Sequence, residues 1–350
     1  MEAGKYRVGV IGYGLSSKVF HIPFILNNSR FELGAIVQRS GDEAKTRHSP
    51  VTIHRSTEAL FEDKTIDLVV VSTPPPTHFP LVMVVEKPFC TTSKECDELI
   101  DLAKAKGKLL TVFQNRRWDA DFVTLKKLLE DNVLGRVVEF ESHFDRYDPQ
   151  VPPRDATPTP GSGVIYDLGT HLLDQILHIY GLPSRVTGFL DRQRSGADPN
   201  GVFDACTILL HYDTGLLATV KASPLSADKN QLRFWVRGEK GSYKKHHLDP
   251  QEPQIIGGME ITDAKFGLEE AGNEGILTIS QNGTQEPKPH PNVPPPTYSE
   301  FYNILGTALD GNGPVPVRPE DARNVIRIVE LAQESAAKGE TLALNKGEAR

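Results

Sequence analysis

The sequence predicts an α/β protein in two parts, a doubly wound parallel sheet followed by a larger α+β unit with a mostly antiparallel sheet. Three observations predict it. The chain has 350 residues, more than a single hydrophobic core usually reaches before a chain divides. Apolar runs rich in Val and Ile recur at βα spacing over its first third, continuous rather than alternating, as in strands covered by helices on both faces. Past residue 120 these runs give way to alternating ones, the pattern of strands with one covered face.

From residue 6, Tyr-Arg-Val-Gly-Val-Ile is a strand ending in Gly12-Tyr13-Gly14, after which a helix can start. Runs at 33–37, 51–54 and 68–71 are further strands, and Val84-Val85 and 109–113 extend the sheet. Thr92-Ser93-Lys94-Glu95 has capping-box spacing, and the helix it opens stops at Gly107, where a residue free to take positive φ belongs. Then come a helix over 121–130, a strand over 136–144, and strand-like pieces starting at Arg185, Phe203, Gly215 and Leu232. The Pro-rich stretches 148–160 and 287–297 are surface connections, and 319–337 is a closing amphipathic helix. There is no internal repeat. The expected division is residues 1–118 and 119–350.

One connection departs from the pattern. Only Ser72 to Leu81 separates the strand ending at Val71 from the next, while a parallel crossover with its helix takes at least ~10 to 12 residues. The expectation is a fifth strand that is displaced or reached by an extended link, or a shortened chain whose Lys87 is misplaced.

Hydrophobic residues make up 38% and charged residues 24%, and no apolar run approaches a membrane span. The net charge of −7, without any Lys/Arg cluster, excludes a polyanion such as nucleic acid as a natural partner. Cys90, Cys96 and Cys206 have no metal-like spacing, and the Met-Glu-Ala-Gly-Lys start is no signal peptide. A soluble protein of the reducing cytoplasm is expected, with neither a disulfide framework nor a metal site.

Gly12-Tyr13-Gly14-Leu15 carries the first two glycines of the dinucleotide fingerprint of a Rossmann domain, with Ser17 in place of the third. At the end of the second strand, where NAD enzymes usually hold an acid on the ribose, stand Gln38-Arg39-Ser40. A guanidinium and a hydroxyl suit a 2′-phosphate, so NADP is favoured over NAD; the alternative is a solvated loop arginine. Glu86-Lys87-Pro88 ends the fifth strand at the sheet edge where ligands collect. Proline there is compatible with a cis bond, and a desolvated Lys87 suits proton transfer, although a lone lysine is more often plain surface. Over 167–180, Asp167, His171, Asp174 and His178 recur on one helix face among apolar positions. Four ligands along one straight helix span too far for one metal ion, which leaves a catalytic Asp/His pair or a solvated face.

Together with Phe20-His21-x-Pro23, Ser72-Thr73-Pro74 with Thr77-His78, Gln114-Asn115-Arg116-Arg117-Trp118, and Gly161-Ser162-Gly163 before Asp167 and His171, these motifs resemble the Gfo/Idh/MocA oxidoreductases along nearly the full length. The resemblance implies that Lys87, Asp167 and His171 surround a sugar or cyclitol hydroxyl poised for hydride transfer. It also implies that Ser72, Thr73, Pro74, Thr77, His78 and Glu86 line the nicotinamide side, that Asn115, Arg116 and Trp118 belong to the cofactor site, and that an open second sheet supports homodimers or larger oligomers. His171 or Lys87 would take the hydroxyl proton while Asp167 orients the base. Arg146 is a further substrate contact or one half of an ion pair. The segment before Gly161 lacks the aromatic and second arginine that related sequences often carry there. The competing readings are a non-enzymatic NAD(P) or sugar sensor of the same fold, and an inactive variant with the shortened connection.

Overall fold

The computed structural model describes residues 5–73, 83–152, 157–196, 201–345 and 347. Six strands, β1 (Tyr6–Ile11), β2 (Phe31–Val37), β3 (Thr52–His54), β4 (Leu68–Val71), β5 (Met83–Glu86) and β6 (Leu110–Phe113), form one sheet. Their order is β3-β2-β1-β4-β5-β6 and every pairing is parallel. The order reverses at β1, so the carboxyl ends of β1 and β4 flank the crevice where open α/β sheets take ligands. The Val/Ile composition follows from the layers on both faces: Val8, Val10, Val70, Val84 and Val85 are wholly buried, each such side chain stabilising the fold by about 1.5–3 kcal/mol.

The sequence expectation for the fifth strand is corrected in one respect. β5 is not displaced: it lies between β4 and β6, with Val69 opposite Met83 and Val84 opposite Thr111. The link over 74–82 lies outside the described residues, as do Pro74, Thr77 and His78.

The helix Ser93–Ala105 begins with the full capping box, Thr92 accepting from the Glu95 N–H and Glu95 from the Thr92 N–H, and Gly107 beyond it has φ +60°. It packs on the long helix Pro319–Lys338, so the C-terminal segment returns to brace the first sheet.

The second sheet contains β7 (Val137–His143), β8 (Arg185–Asp191), β9 (Ala205–His211), β10 (Leu217–Ala222), β11 (Leu232–Gly238), β12 (Gly241–His246), β13 (Gly275–Gln281), β14 (Thr284–His290) and β15 (Leu342–Ala343). The order is β14-β13-β12-β11-β7-β10-β9-β8-β15, antiparallel except between β7 and β10. The Pro-rich stretch expected as a connection from 287 is in part strand. Pro287 and Pro289 lie in β14, which is an edge, where a residue without an N–H is tolerated. Gly188 of β8 packs against the backbone of Ala332, leaving no room for a Cβ, and the Gly188 N–H donates to Ser335 Oγ at 3.0 Å. This contact sets the distance between the long helix and the sheet.

Candidate active site

The turn after β1 is built for close approach of a ligand. Gly12 has φ +98°, and a Cβ there would lie 2.7 Å from the Ser72 carbonyl oxygen; only glycine fits. Gly14 faces open space. Ser17, standing where the fingerprint has a third glycine, is buried and braces the turn: its Oγ donates to Gly12 O at 2.8 Å and accepts from the Gly14 N–H at 3.2 Å. Tyr13 is half-buried with its hydroxyl 3.0 Å from His48, and Leu15 is 62% exposed at the tip. These features fit a dinucleotide pyrophosphate, whose approach needs bare backbone.

At the end of β2, Arg39 and Ser40 are exposed, and Arg39 forms no ion pair among the described residues. The loop beneath them is fixed by Arg55, which donates to the carbonyls of Gln38 at 3.1 Å and Gly41 at 2.5 Å and pairs with Asp42. Arg39 therefore projects from an anchored loop with no compensating charge paired to it among the described residues.

The carboxyl end of β5 carries Glu86, whose carboxylate accepts from Ser16 Oγ, from His21 Nε2 at 2.7 Å and from the Lys87 N–H at 3.1 Å. Burial raises the Glu86 carboxyl, but His21, Ser16 and Lys87 outweigh it and hold the group below the usual range. His21 Nδ1 lies 2.7 Å from the hydroxyl of Tyr302, on the helix Ser299–Leu309. A chain of hydrogen bonds thus ties the sheet edge to the C-terminal region. His21 stands in the Phe20-His21-x-Pro23 motif, which carried the resemblance without any role being assigned to it.

The Lys87–Pro88 peptide is cis. Lys87 Nζ donates to the Asp167 carboxylate at 2.9 Å and to its carbonyl at 2.8 Å. Both residues line a cavity of about 330 Å³ whose wall includes Gly161, Ser162, Gly163, Arg146 and Arg194. Lys87 thus stands on the cavity wall against Asp167.

The helix expected over 167–180 begins with a π turn, Ile165–Gly169, and continues as the α-helix Thr170–Tyr180. Its polar stripe divides into three surroundings. Asp167 faces Lys87. His171, one turn on, is 5% exposed, makes no hydrogen bond among the described residues, and encloses its Nδ1 without a partner. Burial, then the cations Lys87, Arg116, Arg233 and Arg146, hold the ring well below the ordinary histidine value, so it is neutral at pH 7. Asp174 is buried in a bidentate pair with Arg117, at 2.8 and 2.7 Å. His178 is exposed, 3.3 Å from Lys126. Of the two candidate bases, Lys87 is the one that the Asp167 carboxylate bonds among the described residues.

Asn115, Arg116 and Trp118 form the buried turn after β6. Arg116 pairs with Asp119 at 3.2 Å and Glu252 at 2.7 Å, and Trp118 packs edge-on against Phe301. Arg233, which sequence reasoning did not single out, is 1% exposed and bonds Asp121 at 3.0 Å and Gln175 at 2.7 Å, while Gln175 donates to the Arg116 carbonyl at 2.7 Å. These bonds fix the helix of Asp167 and His171 to the sheet. Among the described residues no group of His, Cys, Asp and Glu could hold a metal ion, and no helix is long and apolar enough to cross a membrane.

Comparison with known proteins agrees with the geometry. Residues 6–114 match the family described as "Oxidoreductase family, NAD-binding Rossmann fold", and residues 122–244 match the GFO/IDH/MocA C-terminal domain. The oxidoreductase YdgJ of Escherichia coli is 40% identical over 97% of this chain and 98% of its own. The scyllo-inositol 2-dehydrogenase (NADP(+)) IolW of Bacillus subtilis is 31% identical over 97% of this chain and 96% of its own. The crystal structure of an oxidoreductase from Bacillus cereus superposes with TM-score 0.88 at 29% identity, covering 97% of this chain and 100% of that one.

Proposed function

The chain belongs to the Gfo/Idh/MocA family of NAD(P)-binding oxidoreductases, and from that premise we propose that it transfers hydride between NADP and a sugar, cyclitol or related hydroxy or carbonyl compound. The observation that carries the reading is the Lys87–Asp167 contact at 2.9 Å on a cavity wall, with His171 buried one turn beyond Asp167. NAD remains the alternative cofactor.

Gly12, Tyr13, Gly14 and Leu15 would hold the pyrophosphate, Arg39 and Ser40 the 2′-phosphate. Ser72, Thr73 and Glu86 would line the nicotinamide end, with Asn115, Arg116 and Trp118 as further cofactor-site residues. When bound, the nicotinamide supplies or accepts the hydride. Lys87, held by Asp167, donates a hydrogen bond to the reacting oxygen. His171, held neutral, would take the hydroxyl proton in oxidation and, once protonated, return it in reduction. The division at residues 118 and 119 puts the cofactor groups in the first domain and Asp167 and His171 in the second. The second sheet exposes Phe189 and Ile276, which favours a homodimer or larger assembly; the setting is the cytoplasm.

The test is titration of the purified protein with NADPH and NADH by nicotinamide fluorescence, then a panel of polyols and aldoses. Tight NADPH binding and turnover of a panel member support the reading. Binding without any turnover favours the sensor reading, for which intact Lys87, Asp167 and His171 have no evident use.

A further inference from the structure

Arg146 follows β7 in a segment whose backbone is fixed on both sides. Its N–H donates to Ser223 O and its carbonyl accepts from the Ser226 N–H, both at 2.9 Å, and Tyr147 bridges to Leu225. Its guanidinium lies 4.8 Å from the centre of the Phe144 ring, the same distance as that of Arg116, so the aromatic ring holds its direction.

Among the described residues the cavity wall carries three cations and three carboxylates, and all but one are engaged. Lys87 pairs with Asp167 at 2.9 Å. Arg194 pairs with Asp148 at 3.3 Å and approaches Asp204 at 3.8 Å. Asp204 also accepts from the backbone N–H groups of Gln193 at 2.7 Å and Arg194 at 3.3 Å. Arg146 is exposed to the cavity, and among the described residues it forms no ion pair. A planar fork of donors on a fixed backbone, facing the cavity with no carboxylate paired to it among the described residues, is a receptor for an oxyanion. The charges around His171 point the same way: Arg146 is one of four cations that disfavour a proton on it, and a bound anion would offset that field.

Resting on the oxidoreductase reading, we infer that Arg146 is a specificity determinant of the cavity and that the substrate carries a carboxylate or phosphate beside its reacting hydroxyl or carbonyl. The substrate class is then an acidic or phosphorylated sugar or cyclitol rather than a neutral one.

The test is calorimetric titration of the full chain, with and without NADPH, using glucose, glucuronate and glucose 6-phosphate. The two acidic ligands separate carboxylate from phosphate recognition. At least one of them binds about tenfold or more tightly than glucose, the worth of one or two charge-assisted hydrogen bonds. The advantage shrinks with added salt, disappears in Arg146→Gln and survives in part in Arg146→Lys, while NADPH binding is unchanged in both variants. Failure to take up NADPH bears on the proposed function alone. Anions that bind no tighter than glucose, or an advantage that persists in Arg146→Gln in either form, overturn the inference.

Discussion

The ammonium of Lys87 meets the carboxylate of Asp167 at 2.9 Å across 80 residues of chain, joining the end of β5 to the π turn Ile165–Gly169. The contact orients the lysine and compensates its charge. Replacing Asp167 with Asn keeps the shape and removes the charge. Turnover is expected to fall by about ten- to a hundredfold, at the modest end for a perturbed acid–base group, with NADPH affinity unchanged. Steady-state kinetics beside a fluorescence titration checks this, and an unaltered kcat would show that the pair is structural.

On the proposed reading, Arg39 sets cofactor choice. Arg39→Asp replaces a cation at the end of β2 with a carboxylate that repels a 2′-phosphate and suits a ribose diol. NADPH binding should weaken by about tenfold or more while NADH binding holds or improves, as loss of a charge-assisted bond requires. Equal weakening of both would place Arg39 away from the ribose.

The depressed pKa of His171 has two consequences. As a base it is already neutral at pH 6.5, the ordinary histidine value, so kcat/KM for alcohol oxidation should show no histidine limb there. In stability the sign is fixed by the unfolded chain, which takes up a proton as pH falls through 6.5 while the folded ring does not. The contribution is complete above that pH and is lost progressively below it, toward the folded value. Thermal melts of His171→Gln should therefore lose less Tm than wild type on acidification from neutral pH; parallel losses would contradict the assignment.

Gly12→Ala places a Cβ 2.7 Å from the Ser72 carbonyl oxygen at a residue with φ +98°. The cost is about 1–3 kcal/mol of local strain, read as a lower Tm together with weakened binding of both cofactors. Gly14→Ala meets nothing within 4 Å, so it should leave Tm alone and affect cofactor binding only.

Asp174→Ala leaves Arg117 buried without its bidentate partner, and such a loss costs about 3–5 kcal/mol. Chemical denaturation should show a large drop in midpoint. A variant that keeps its stability but loses catalysis would return Asp174 to the reacting groups.

The parallel sheet was legible because continuous Val/Ile runs between helices suit strands covered on both faces and little else, and the turn at Gly12 because only glycine accepts its geometry. The strand β12 was not legible: in Gly-Ser-Tyr-Lys-Lys-His the buried side chains are Tyr243 and Lys245, and a lysine at the second inward position, paired with Glu269, hides the period. The helix Ser299–Leu309 follows a proline run that resembles a loop continuing. At the site, the types Lys87, Asp167 and His171 were readable from the motifs, but the meeting of Lys87 with Asp167 was not, since no local pattern pairs residues 80 apart. Arg233 and the Arg117–Asp174 pair look in the sequence like solvated charges; only the packing of the helix Thr170–Tyr180 on the second sheet shows that they are buried.

On the proposed reading, Lys87 and its neighbours serve hydride transfer. The most direct test follows nicotinamide absorbance while neutral and acidic polyols and aldoses are offered with NADP or NADPH, wild type beside Lys87→Met. At least one compound is expected to be turned over, and the variant to be slower by about a hundredfold or more, within the range for a lost acid–base group, with cofactor affinity retained. Tight NADPH binding with no turnover of any compound, or equal rates in the two proteins, would contradict it.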